Sequence, residues 1–174
     1  MGWLRGLIDR VLLVCAIVAG GLVPGFLAQY RQRLGGRLDQ ARADLQPWQH
    51  LADQYHHGDL SALIRYHLDS ADPTFHAEGA LIRSLSEAVQ ALQAAADALH
   101  GTLLHQLTYL LLHGDAGLAR ATWADFVPTF ALSGEGLAFA LLFGLALWLA
   151  FQVLWSLVAR LLARPRAPAA AGHY

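Results

Sequence analysis

Residues 136–159 read GLAFALLFGLALWLAFQVLWSLVA, 24 consecutive positions without a charge. A helix rises about 1.5 Å per residue, so a run of this length crosses the roughly 30 Å hydrocarbon core of a bilayer. A second uncharged run, VLLVCAIVAGGLVPGFLA, fills residues 11–28 and is 18 positions long. It stands at the short end of the range and reaches full length when extended from Leu7 to Tyr30, with Asp9 and Arg10 near the headgroups. The expected architecture is all-α, with two transmembrane helices flanking an extramembrane helical hairpin or bundle. Its parts are an N-terminal transmembrane helix (residues 1–30), an extramembrane helical domain (31–134), a C-terminal transmembrane helix (135–163) and a flexible tail (164–174).

Composition agrees. The 174 residues are 56% hydrophobic and 14% charged, against about 45–50% and about 25% in an ordinary soluble domain. Twelve basic residues, all Arg, face 13 acidic ones. This excludes a disordered chain and a nucleic-acid binder acting through bulk positive charge. Residues 31–134 taken alone hold 49 hydrophobic positions of 104, or 47%, the value of a foldable globular segment. The greasiness therefore belongs to the two runs.

Cys15 is the single cysteine, so no internal disulfide exists. Arg5 and Arg10 ahead of an apolar run also fit a secretory signal. The run is long, however, and Phe26-Leu27-Ala28 lacks the small residue expected three positions before a cleavage site. A retained span is the reading, with a cleaved signal as the alternative. Arg5, Arg10, Arg160, Arg164 and Arg166 favour cytoplasmic ends, while Arg31, Arg33, Arg37 and Arg42 argue the opposite. Long segments cross a membrane regardless of charge, so the short tails weigh more. The expected location is the bacterial inner membrane as a multi-pass protein, with cytoplasmic termini and a periplasmic middle domain.

Within the spans, Gly21 and Gly25 lie four apart, as do Ala140 and Gly144. Such small-xxx-small pairs permit close helix approach and mark a packing seam, although small residues are also common in membrane helices. Pro24 removes a backbone donor and predicts a kink. Trp3, Tyr30, Trp148 and Trp155 are read as interfacial aromatics, and Ser133 with Glu135 as the cap and first-turn acid of the second span. Neither span carries an Asp, Glu, Lys, Arg or His in its middle, which argues against a transporter.

The middle segment reads as helices. Leu38, Ala41, Leu45, Trp48, Ala52 and Tyr55 alternate by three and four, with Pro47 interrupting. Leu85, Ala88, Leu92, Ala95 and Leu99 form a second stripe, which Leu103, Leu107, Leu110 and Leu111 continue with a register shift. Only Gly35-Gly36 separates the first span from the first arm. His57-Gly58-Asp59 and His113-Gly114-Asp115 each place a Gly where a helix stops and an Asp where the next starts. Asp72-Pro73 reads as a cap followed by Pro at the first helical position.

Nine histidines raise the question of metal. His50, Asp53 and His57 fall at i, i+3 and i+7, one helix face, and two His with a carboxylate can ligate iron or zinc. The same residues lie off the apolar seam, where a solvated face is the simpler reading. Arg31, Arg33, Arg37 and Arg42 suit anionic lipid headgroups, or else form a solvated helix start paired with Asp39 and Asp44. No phosphate loop, nucleophile elbow or metalloprotease signature occurs, and no cofactor is implied.

The run Val23-Pro24-Gly25-Phe26-Leu27-Ala28-Gln29-Tyr30, the Arg-bearing helix after it, Gly58-Asp59-Leu60, Asp72-Pro73-Thr74-Phe75 and Thr122-Trp123 resemble the family DUF2937 over nearly the whole chain. The resemblance implies a small inner-membrane protein of proteobacterial type with a span at each end. It supplies no activity, substrate or catalytic residue. The expected role is that of a structural or accessory membrane protein, oligomeric or a subunit of a larger complex. Its partners are the bilayer, itself or that complex, and no nucleic acid. The first rival is a lipid or small-ligand binder using a groove between the Leu-rich stretch 99–111 and the Arg cluster. A metal-dependent enzyme or carrier is the second.

Overall fold

A computed structural model describes residues 2–129 and 134–162. The described residues form six helices and no strand: α1 (Gly2–Tyr55), α2 (Leu60–Leu68), α3 (Pro73–Ala98), α4 (Leu103–His113), α5 (Ala116–Ala124) and α6 (Gly134–Leu162). Ser133, Arg164, Arg166 and the tail 164–174 lie outside the described residues. Two compact units result. One draws on residues 1–25 and 129–174, the other is Phe26–Pro128, and α1 contributes to both.

Helix α1 runs without interruption through Pro24, Gly35-Gly36 and Pro47. The first apolar run and the first polar arm are thus one helix. Gly35 and Gly36 do not end it because both carry helical backbone, and a Cβ at either would meet nothing within 4 Å. Their cost is entropic only. Gly35→Ala and Gly36→Ala are each expected to stabilise the protein by about 0.8–1 kcal/mol, checked by thermal melting in detergent.

In the unit Phe26–Pro128, α3 runs back along α1. Leu34 meets Leu99 in the core, and the Arg42 guanidinium donates to Gln93 Oε1. The buried cluster is Tyr30, Leu34, Leu99 and Leu118, with Phe26, Leu92, Tyr109 and Leu110 packed against it. The first stripe forms the sheltered face of α1, from buried Leu38 to buried Ala52, but Tyr55 at its end is exposed. In α3 the sheltered positions follow the helical period and drift off the heptad: Ala88 is exposed and Val89 takes its place.

The reading that carried the α3 stripe into Leu103 with a register shift is corrected. Helix α3 stops at Ala98 and α4 is a separate helix. Gly101 turns the chain at φ +121°, and Thr102 caps α4 by accepting from the His105 N–H. The buried Gln106 closes this corner by donating to the Gly101 carbonyl at 2.8 Å.

The other turns follow the cap chemistry read from the sequence. Asp59, Asp72 and Asp115 are the N-caps of α2, α3 and α5, and Pro73 opens α3. The two His-Gly-Asp turns nevertheless differ. Gly58 has φ +83°, whereas Gly114 has φ −64° and is required because the Leu110 carbonyl and side chain occupy the space of a Cβ. At Asp59, the Ser61 hydroxyl donates at 2.5 Å and the Ala62 N–H at 3.1 Å, holding the carboxyl below its usual pKa. A depressed folded-state pKa adds stability above the unfolded value and loses it as pH falls through the folded one. Asp59→Ala should therefore lower the melting midpoint at pH 7, and the gap to wild type should narrow in acid.

Candidate functional site

In the unit drawn from residues 1–25 and 129–174, the two apolar helices pack through small residues. A Cβ on Gly20 would stand 3.1 Å from the Ala140 carbonyl oxygen and 3.1 Å from Phe143 Cδ1. One on Gly144 would meet Ile17 Cγ1 at 2.6 Å and Ile17 Cα at 2.7 Å. Among the described side chains of α6 the buried positions are Gly136, Ala140 and Gly144, a seam at four-residue spacing. Ala140 and Gly144, singled out from the sequence, lie on it. On α1 Gly20 faces α6, and the adjacent Gly21 is buried as well. Gly25 is buried too, but the backbone and side chain of Thr129 fill its Cβ space.

Toward the other end of this pair, Gln152 Nε2 donates to Asp9 Oδ1 at 2.7 Å. Asp9 therefore stands opposite a residue inside the uncharged run of α6, not at its border. Between these polar and glycine contacts a cavity of about 530 Å³ opens, lined by Leu12, Cys15, Ala16, Ala19, Trp148 and Phe151. Trp148, read as an interfacial aromatic, sits midway along α6, and its buried Nε1 has no hydrogen-bond partner.

The candidate metal residues are not gathered. Helix α1 ends at Tyr55, and His57 follows in the left-handed region at φ +53°, so it does not extend the face of His50 and Asp53. Asp53 accepts from Gln49 Nε2 at 3.0 Å, and His50 Nε2 lies 3.4 Å from Gln46 Nε2. Among the described residues no three His, Cys, Asp or Glu side chains come together as a metal site.

The four arginines divide. Arg33 ion-pairs with Asp125, and Arg42 reaches Gln93 and, at 3.7 Å, Asp39. Asp44, the other expected partner, accepts instead from Gln40 at 2.8 Å. Arg31 and Arg37 are exposed. Arg31 lines a recess of about 450 Å³ with Ala28, Leu34, Ala96, Leu99 and His100.

His67 is the polar residue that sequence reasoning passed over. It is buried in the contact of α2 with α3, its Nδ1 2.9 Å from the Leu63 carbonyl. A carbonyl only accepts, which assigns the proton to Nδ1. Nε2 faces Glu78 Oε2 at 3.8 Å, and the Phe75 ring stacks on the imidazole at 5.4 Å with Trp48 and Tyr66 edge-on. Its four-residue spacing from Leu63, on the buried face of α2, was the available signal. The arrangement locks two helices together and presents no open reaction centre.

Fold and site together define a class: an all-helical chain with two helices long and apolar enough to cross a membrane and a separate helical unit containing a polar–aromatic core. Residues 4–164 match the family described as "Protein of unknown function (DUF2937)", and the chain belongs to that family. No curated protein and no solved structure matches the chain.

Proposed function

We propose that the protein is a two-span accessory membrane protein whose paired apolar helices anchor a helical domain within a larger assembly. One observation carries the reading. Only 11% of the most apolar 18-residue window within Gly136–Val158 is buried within the chain. The core helix of a soluble protein would be mostly buried, whereas Leu141, Leu142, Val153, Leu154 and Leu157 are at least half exposed and need lipid or a partner helix to cover them. The glycine seam and the Asp9–Gln152 hydrogen bond close the pair, which leaves those exposed apolar side chains for that contact. Location in a bacterial inner membrane, with cytoplasmic termini, is supported by Arg5, Arg10 and Arg160 flanking the pair.

The test is alkaline carbonate extraction of membranes followed by mass determination of the detergent-solubilised protein. Retention in the membrane pellet and a mass above the monomer are expected. Release by carbonate would end the membrane reading, and a bare monomer would end the assembly reading. A reporter fused after residue 90 should be active only when exported.

The recess beside Arg31 favours a second reading, a lipid binder. It combines an apolar floor with an exposed guanidinium, the pairing an acyl chain and an anionic headgroup require. Anionic lipid found by mass spectrometry in wild-type preparations and lost from Arg31→Gln would support it.

A further inference from the structure

Helix α2 is nine residues long, too short to persist in water by itself, so its place depends on what it packs against. It packs on α3. The two backbones come close at Gly79, where a Cβ would stand 2.9 Å from His67 Cβ and 2.9 Å from the Leu68 backbone nitrogen. His67, in the last turn of α2, is therefore pressed against α3 and buried there.

The His67 ring has one nitrogen committed and one open. Nδ1 is held by the Leu63 carbonyl at 2.9 Å, which leaves Nε2 as the atom where a proton can come and go. Nε2 faces Glu78 Oε2 at 3.8 Å. In the neutral ring that contact brings together two acceptors, a nitrogen lone pair and a carboxylate oxygen, with no hydrogen between them. A proton on Nε2 turns the same pair into a cationic donor and its carboxylate. Two further features favour the cation. The Phe75 ring stacks on the imidazole at 5.4 Å, offering its negative face, and the C-terminal end of a helix attracts positive charge.

The other charged and titratable groups nearby are engaged elsewhere or stand further off. On α1 the contact is Trp48, which does not titrate, and Asp44, one turn earlier, accepts from Gln40. On α2, Arg65 pairs with Asp59 at 3.6 Å, and the Tyr66 ring lies 5.8 Å from that of His67. His56 meets the Tyr66 ring, at 5.6 Å. On α3, Asp72 is occupied in capping, and His76 is exposed. Glu78 is the carboxylate that His67 Nε2 faces.

We propose that His67 and Glu78 form a proton-operated latch between α2 and α3. Uptake of a proton at Nε2 replaces a contact of two acceptors by an ion-paired hydrogen bond and clamps α2 onto α3. Histidine changes charge between about pH 5 and 8, so mild acid closes the latch. The sign follows from linkage. The folded chain holds this proton more tightly than the unfolded chain, which lacks the facing carboxylate, so the added stability is full in acid and is lost as pH rises. The latch lies wholly within Phe26–Pro128 and does not rest on the reading of the apolar helices as spans.

The test uses the full chain in detergent, with its histidines ¹⁵N-labelled, at pH 8 and pH 5.5. The His67 signals are assigned through their proximity to the Phe75 ring, so no variant of the buried residue is needed. At pH 8 the proton should sit on Nδ1 alone, and at pH 5.5 both nitrogens should be protonated. Amide exchange in residues 60–68, corrected for its intrinsic pH dependence, should be several-fold slower at pH 5.5. Glu78→Gln changes a part-exposed side chain. In that variant His67 should charge only in more acid solution than in wild type, and the slowing of exchange should disappear. Glu87→Gln, an exposed position on the same helix, should keep both behaviours. The latch is overturned if His67 stays neutral at pH 5.5, or if it charges alike in wild type and Glu78→Gln. A charged His67 without slower exchange in α2 overturns it as well, since the proton then clamps nothing.

Discussion

Gly144→Leu should shift the unfolding midpoint in mixed detergent–SDS micelles to lower SDS, by about 1–3 kcal/mol of stability or more. The first atom of any side chain at 144 would meet Ile17 Cγ1 at 2.6 Å and the Ile17 backbone nitrogen at 2.8 Å. A side-chain tip could rotate away, but backbone cannot, so α1 and α6 must separate. Separation also loosens the Gln152–Asp9 hydrogen bond, for which about 0.6 kcal/mol is typical inside a membrane. Gly6→Ala is the matched control, since nothing lies within 4 Å of a Cβ there. That variant should be neutral or slightly stabilising through helix propensity alone. An equal response of the two variants would show that the glycine seam does not hold the pair.

Leu99→Ala should destabilise the protein by about 2–5 kcal/mol, seen as a lower thermal midpoint in detergent and faster amide exchange at Tyr30 and Leu118. Leu99 is 1% exposed and sits where α3 ends, packed in the cluster with Tyr30, Leu34 and Leu118. Truncation removes buried methyl groups and leaves a void bordered by three helices, which cannot all close in on it. The contrast is Thr122→Val. Thr122 is fully buried, but its hydroxyl donates at 2.8 Å to the Leu118 carbonyl of its own helix. Shape is kept and no partner is stranded, so that change should be near neutral. Comparable losses in both variants would point to general fragility of the unit in place of a cavity effect.

The parts of the fold that were legible in the sequence share one property: their signal is local. The two apolar helices are runs without charge, the sheltered stripe of α1 from Leu38 to Ala52 is a period of three and four, and Asp59, Asp72 and Asp115 announce helix starts by their residue type. The break between α3 and α4 was also written locally, in Gly101 and Thr102, but the leucines beyond it imitated a continuing stripe. His57 was misplaced on the face of His50 and Asp53 for a related reason, since α1 ends two residues short of it. Periodicity counts residues and does not register where a helix stops.

Tertiary structure decided everything that needs two distant segments. Arg33 meets Asp125 across 92 residues, Gln29 holds Val127 across 98, and Asp9 meets Gln152 across 143. Nothing in the spacing of either partner encodes these meetings, because each is fixed by how helices stack and not by the helix that bears it. The burial of His67 and the packing of Trp123 on Phe26 are of the same kind. Sequence alone determined that two stretches form helices long and apolar enough to cross a membrane and that the segment between them folds as helices, since hydrophobicity and capping are properties of single residues and their near neighbours. Which faces meet, and which apolar surface is left over, follows only from packing.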